Sequence, residues 1–293
     1  MNLFAGLEEI VKENEPLAPH TWYRLGGPAR YYVEPRNKAE LLEVAKRCSE
    51  HEQEIFVLGR GSNVLVRDEG IDGVVVRLND KHFGGIEIHE TTVRVESGVD
   101  MSHLVGVCAR SGLRGLECMI GIPGSVGGQI KQNAGGKFGD IGSVVSNVFL
   151  MDQSGYEFNR EREEIFFGYR DTNIMAKFIL GAEFVLTPDD PDRIGRSIKE
   201  VWMFKKATQP LNTRNAGCVF KNPPNVSCGS LIERAGLMGK SVGGAEVSDR
   251  HANFIVANNG ATSAEVLELI DLVRTTVKEK FEVEMETEIQ IWP

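Results

Sequence analysis

The segment GIPGSVGGQIKQNAGG, residues 121 to 136, carries the decision about the fold. Glycine adopts backbone conformations closed to other residues and lets main-chain N–H groups approach an anion closely, so a run of this kind is suited to cradling a phosphate. A shorter run, GRGSN from Gly59 to Asn63, follows a strand-like stretch and has the same character. Neither is the G-x-G-x-x-G of a dinucleotide-binding βαβ unit, nor a Walker loop. Either cluster alone reads as a tight turn in a β-rich domain. The pair, with an N-A-G tripeptide in the second, points to a bound diphosphate.

Outward from these loops, EIFVLG (residues 54 to 59) and GVVVRL (73 to 78) are short β-branched runs bounded by turn residues. TTVRVESGV (91 to 99) alternates as a half-buried strand does, and AKFILGAEFVLT (176 to 187) reads as a longer strand. Three helices stand out. NKAELLEVAKRCSEH (37 to 51) opens on an Asn cap with Glu40 three residues on. The stretch 189 to 209 begins with Pro and acids and ends in lysines, which suits the helix dipole, and it is read as a bridge between domains. In TSAEVLELIDLVRTTVKEKF, Thr262 and Glu265 form a capping box, and Val266, Leu269, Ile270, Val273, Val277 and Phe281 make one apolar stripe. EMETEIQIW then alternates as a closing strand. Strands and helices mixed without regular βαβ alternation indicate an α+β fold.

Composition narrows the function classes. A chain of 293 residues buries an ordinary core without staples, and its five cysteines, at 48, 108, 118, 218 and 228, contain no C-x-x-C pair. Disulfides and a metal cluster are therefore not expected, and a reducing cytoplasm is. Forty-two acidic against 33 basic residues give a formal charge of −9, which opposes binding to nucleic acid or anionic membrane. No signal peptide or apolar run long enough to span a bilayer is read.

Seven stretches in order, TWYRLGGPARYYVEP, LGRGSNVLV, GLECMIGIPGSVGGQIKQNAGG, FGYRDT, AGCVFKNP, GSLIERAGLMGKSVGGAEVSDRHANFIV and EMETEIQI, together resemble the UDP-N-acetylenolpyruvoylglucosamine reductases from about Thr21 onward. The resemblance implies a two-lobed FAD-binding domain of the vanillyl-alcohol-oxidase type (residues 21–188) followed by a smaller C-terminal substrate domain (189–293). Residues 1–20 are then left as an N-terminal helical segment. It implies non-covalent FAD and NADPH as reductant, a nucleotide-sugar substrate, a monomer, and a compact form of the enzyme without a tyrosine-bearing insertion. FAD would lie against Gly59, Arg60, Gly61, Ser62 and Asn63, and against Gly121, Ile122, Pro123, Gly124, Ser125, Gly128, Asn133, Ala134 and Gly135.

The implied reaction reduces an enolpyruvyl ether to a lactyl ether: hydride goes to C3, charge moves toward C2 and the carboxylate, and an acid protonates C2. Arg170 in FGYRDT matches the family's catalytic arginine, whose planar guanidinium holds a carboxylate in two-point contact. Outside the family pattern it reads as a surface ion pair with Asp171. Glu288 matches the C-terminal glutamate, which orients Arg170 or holds a shared proton; its plain alternative is an exposed acid on an edge strand. Cys218 stands where most members of the family have a proton-delivering serine. A thiol, with an ordinary pKa of about 8.5, is intrinsically the better proton donor. Core filler, or a nucleophile paired with His251, are its other readings. Tyr169, Arg214, Lys221 and Asn222 would face the substrate, against the plainer reading of Lys221 and Asn222 as solvated loop and turn residues. Two other functions compete: a flavin-dependent alcohol oxidase of the same superfamily, and a non-catalytic nucleotide-sugar sensor.

Overall fold

The structure, a computed structural model, describes residues 3–293. The chain divides into two compact units that are both discontinuous in sequence: Met1–Glu13, Tyr31–Arg60 and Gly73–Lys205 in the first, Asn14–Arg30, Gly61–Asp72 and Lys206–Pro293 in the second. Contiguous blocks 21–188 and 189–293 were the expectation, and composition along the chain carries no sign of the two early excursions. The two excursions close on each other at Gly27. Gly27 N donates to Arg67 O at 2.8 Å, and a Cβ at Gly27 would stand 2.2 Å from Asp68 O, so only glycine lets the two segments close.

The first unit is built on a five-stranded antiparallel sheet in the order Glu157–Glu161, Val145–Met151, Phe178–Val185, Thr92–Glu96, Ile86–His89. Strand Ile55–Leu58 pairs in parallel with the second half of Ile71–Arg77. Its helices are α1 (Lys38–Glu50), α2 (Met101–Arg110), α3 (Val126–Lys131) and α4 (Pro191–Thr208). Asn37 caps α1 by accepting from Glu40 N, as the sequence leads one to expect, and α1 buries Leu41, Val44, Ala45 and Cys48. Helix α2 turns Met101, Leu104, Val105 and Cys108 into a second apolar cluster against the sheet. The division between units falls inside α4.

In the second unit, α5 (Cys228–Arg234) and α6 (Ser263–Phe281) pack with the small sheet Ser241–Val242, Ala245–Val247, Ile255–Ala257. The Thr262–Glu265 capping box of α6 forms, and five members of its predicted stripe are buried. Asp68 adds a second cap from far away in sequence, accepting from Ser263 N at 3.0 Å and Ala264 N at 3.2 Å. Gln290–Trp292 runs parallel to Val64–Val66.

The expected helical segment 1–20 is corrected. Residues 1 and 2 lie outside the described residues; beyond them come a 3-10 turn at Glu8–Ile10, a strand at Val11–Pro16 and a 3-10 turn at Ala18–His20. Pro16 and Pro19 each remove a backbone donor and leave no room for a continuing helix. Among the described residues no helix is long and apolar enough to cross a membrane.

Candidate functional site

In the first unit the heads of the two glycine runs meet. A Cβ on Gly59 would stand 2.5 Å from Ser125 Oγ, and one on Gly124, at φ +153°, would stand 2.5 Å from Gln129 Nε2. The second run is held by its own backbone: Met101 N donates to Gly124 O (3.1 Å), Val126 N to Val99 O (2.9 Å) and Gly127 N to Ser97 O (2.9 Å). Gln129 Nε2 donates to Ile122 O and Pro123 O at 3.2 and 2.9 Å. Beside this loop the buried Ser97 Oγ and Gln129 Oε1 have no hydrogen-bond partner. A cradle closed to side chains, next to unsatisfied polar atoms, fits the diphosphate of FAD. Arg60, expected to help hold it, lies between Asp100 (3.1 Å) and Asp80 (3.4 Å).

Not every predicted cofactor residue falls in this cradle. Gly61, Ser62 and Asn63 belong to the second unit. There, Trp22 N donates to Gly61 O (2.9 Å) and Asn63 Nδ2 donates to Glu288 O (3.1 Å). Asn133 is a buried brace: its Nδ2 donates to Gly168 O (2.7 Å) and its Oδ1 accepts from Gly142 N (3.0 Å). It thereby ties the N-A-G segment to the next motif.

That motif is a hairpin in which Phe167 pairs with Thr172 and Gly168 with Asp171. Tyr169 and Arg170 make its two-residue turn, with Arg170 at φ +56°, a conformation that costs a non-glycine residue on the order of 1 kcal/mol. Arg170 Nη2 donates to Gly135 O at 2.6 Å and the guanidinium lies 5.1 Å from the centre of the half-exposed Tyr169 ring. The turn therefore places a cation next to the end of the glycine run.

In the second unit three segments are stitched together around Cys218. Val219 N donates to Asn253 O (2.8 Å), Lys221 N to Glu286 O (2.9 Å) and Glu288 N to Val219 O (2.7 Å). The buried Asn253 side chain closes both bonds of Phe220, accepting from its N–H at 3.0 Å and donating to its carbonyl at 2.8 Å. Cys218, half-buried and not in a disulfide, is thus one residue removed from the backbone hydrogen bond that Glu288 donates to Val219. The charge of Glu288, after burial, holds the thiol of Cys228 up at about 11.

Two predicted substrate residues have partners within the unit. Lys221 Nζ sits 2.6 Å from Glu286 Oε1, and Asn222 Oδ1 accepts from Cys228 N (2.9 Å). Arg214 lines a pocket of about 760 Å³ with Trp22, Arg24 and Thr213. His251 is held neutral, its pKa lowered by burial, and its Nδ1 accepts from Asn253 N (3.3 Å). Among the described residues no group of three or more His, Cys, Asp or Glu could hold a metal.

One residue that sequence reasoning misplaced is Lys205. Charge at the end of α4 reads as a solvated complement to the helix dipole, yet Lys205 is 5 % exposed. Nothing local marks it, since the neighbouring Trp202, Met203 and Phe204 are themselves exposed.

Comparison with known proteins gives two family models. One is an FAD binding domain over residues 29–158; the other is the C-terminal domain of UDP-N-acetylenolpyruvoylglucosamine reductase over 209–292. The chain is 41 % identical over 284 residues to UDP-N-acetylenolpyruvoylglucosamine reductase 2 of Symbiobacterium thermophilum, covering 96 % of this chain and 92 % of that one. It is 40 % identical to UDP-N-acetylenolpyruvoylglucosamine reductase 1 of Bacillus cereus, covering 96 % and 94 %. The crystal structure of the reductase from Thermus caldophilus superposes with a TM-score of 0.82 at 35 % identity, over 96 % of this chain and 98 % of that one.

Proposed function

This chain belongs to the UDP-N-acetylenolpyruvoylglucosamine reductase family, and from that premise we propose that Arg170, Cys218 and Glu288 carry its chemistry. It is a flavoprotein oxidoreductase that uses NADPH to reduce UDP-N-acetyl-3-O-(1-carboxyvinyl)-glucosamine to UDP-N-acetylmuramate in peptidoglycan precursor synthesis. Bound FAD supplies the relay for hydride from NADPH to C3 of the vinyl group. Gly59, Arg60 and the run Gly121 to Gly128 would hold its diphosphate.

The chain's own task is to bind the charge that builds on C2 and the carboxylate, and to protonate C2. Arg170 holds the carboxylate, its guanidinium oriented by Gly135 O and the Tyr169 ring. That interaction strengthens as charge develops, which is where it accelerates the reaction. Cys218 delivers the proton to C2 from its Sγ, and Glu288 holds a proton at its carboxyl beside the anionic substrate. Lys221, Asn222, Arg214 and Tyr169 bind the remaining polar groups.

The observation that supports this reading best is the 2.7 Å bond from Glu288 N to Val219 O, which fixes the backbones of the proton donor and the glutamate in one register. We further place the enzyme in the cytoplasm as a monomer, in keeping with five free cysteines; light scattering checks the second point. The test of the whole reading is spectroscopic. The purified chain should carry a visible flavin band that NADPH bleaches anaerobically and that the enolpyruvyl nucleotide-sugar restores. A chain that cannot be loaded with FAD would overturn it.

A further inference from the structure

Lys205 is a buried cation with no carboxylate beside it. Its Nζ donates to Cys118 O at 3.1 Å and Ile120 O at 2.6 Å, and no ion pair or further partner exists for it among the described residues. An ammonium has three donors, so one is unspent. Its stem lies beneath the second glycine run: a Cβ on Gly121, at φ +72°, would stand 3.1 Å from Lys205 Cδ and 3.2 Å from Trp202 Cε3. Burying a charge without a counter-ion is unfavourable by several kcal/mol unless something compensates it. Two carbonyl dipoles compensate in part, and the charge of Arg170 works against them.

We propose that Lys205 is an anion anchor under the glycine run, completed by an oxyanion of a bound ligand, either the diphosphate of the flavin or the carboxylate or diphosphate of the nucleotide-sugar. The proposal deepens the reading above and rests on it only for the identity of those two ligands. Geometry carries it: a fixed cation, a spare donor, and a backbone that glycine keeps clear of side chains just above it. Burial pushes the Lys205 ammonium down to about 8, with the Arg170 charge adding to the shift. An oxyanion would raise it again, so binding takes up a proton. Cys118, which feels Glu117 and Asp140, is pushed up to about 11 by burial, clear of that range.

The full chain, stripped of flavin, is titrated with FAD at pH 7 and pH 9 by flavin fluorescence. The reloaded enzyme is titrated with UDP-N-acetylmuramate at the same pH values by the perturbation of the flavin spectrum. The wild type is expected to bind one of the two about tenfold more weakly at pH 9, the factor by which a group of pKa about 8 empties over that step. Lys205→Met should bind that ligand weakly at both pH values, and Lys205→Arg, which does not titrate, should bind it without pH dependence. Which ligand responds identifies the source of the oxyanion.

A purely structural lysine would instead lower the melting temperature of Lys205→Met and leave affinity unchanged. Should Lys205→Met fail to fold, the wild-type pH dependence and Lys205→Arg still decide. Affinities for both ligands that ignore pH and residue 205 would overturn the anchor. Because bleaching by NADPH is read separately, that result would leave the reductase reading standing.

Discussion

Three cations of the second unit and two beside the glycine run of the first are met differently. In the second, cations meet carboxylates within the unit: Lys221 with Glu286, Lys278 with Glu284, Arg274 with Asp271. Around the glycine run of the first, the charges of Lys205 and Arg170 rest on backbone carbonyls, and Ser97 Oγ and Gln129 Oε1 are buried without partners. Buried polar atoms without partners occur in both units, Tyr23 Oη and Arg274 Nε being those of the second; what marks the first is that Ser97 Oγ, Gln129 Oε1 and Lys205 gather beside one glycine run, as around something it has yet to bind.

The sharpest way to break this contrast is at Cys218, in the second unit. Cys218→Ala should keep NADPH bleaching of the flavin and slow its reoxidation by the enolpyruvyl substrate by about 10³-fold, the range of a lost general acid. Cys218→Ser should retain substantial turnover in the same stopped-flow experiment. In the first unit, Arg170→Gln should slow that second half-reaction by about 10²- to 10³-fold, because a cation aimed at developing charge is lost. Full activity in either Cys218→Ala or Arg170→Gln would remove that residue from the chemistry.

Stability probes sharpen the contrast next. Asn253→Ala leaves the backbone of Phe220 unpaired on both sides and should cost about 2–4 kcal/mol in denaturant unfolding. Lys205 should act with the opposite sign. Its folded pKa of about 8 lies below the ordinary lysine value near 10.4, so the unfolded chain binds more protons between these limits. Stability of the flavin-free protein should therefore rise by up to about 3 kcal/mol as pH climbs from 8 past 10.4, and fall again as pH drops through 8. Lys205→Met should lack this dependence. Smallest of all, Lys221→Ala should change stability by less than about 1 kcal/mol, since Glu286 is largely exposed.

How far the sequence spoke depended on the range of the interaction. Local signals were legible: the Asn37 cap, the Thr262–Glu265 box and the α6 stripe all rest on neighbours three or four residues apart. The motifs also carried the family. What stayed hidden is long-range. Nothing local announces that Asp68 caps α6, that Asn133 braces Gly168, or that Lys221 finds Glu286. Lys205 is the instructive miss, because a lysine ending a helix has a satisfactory surface explanation until the fold wraps a loop over it.

The discontinuous second unit also bears on how the protein is made. Asn63 and Glu288 bond across 225 residues, and Val64–Val66 has no parallel neighbour until Gln290–Trp292 has left the ribosome. Closing so long a loop is entropically costly and slow. On a nascent chain growing at about 5–20 residues per second, the segment around Leu65 therefore waits unpaired for at least about ten seconds. A chaperone-depleted translation system, halted before and after residue 290, would show that interval as a window of aggregation.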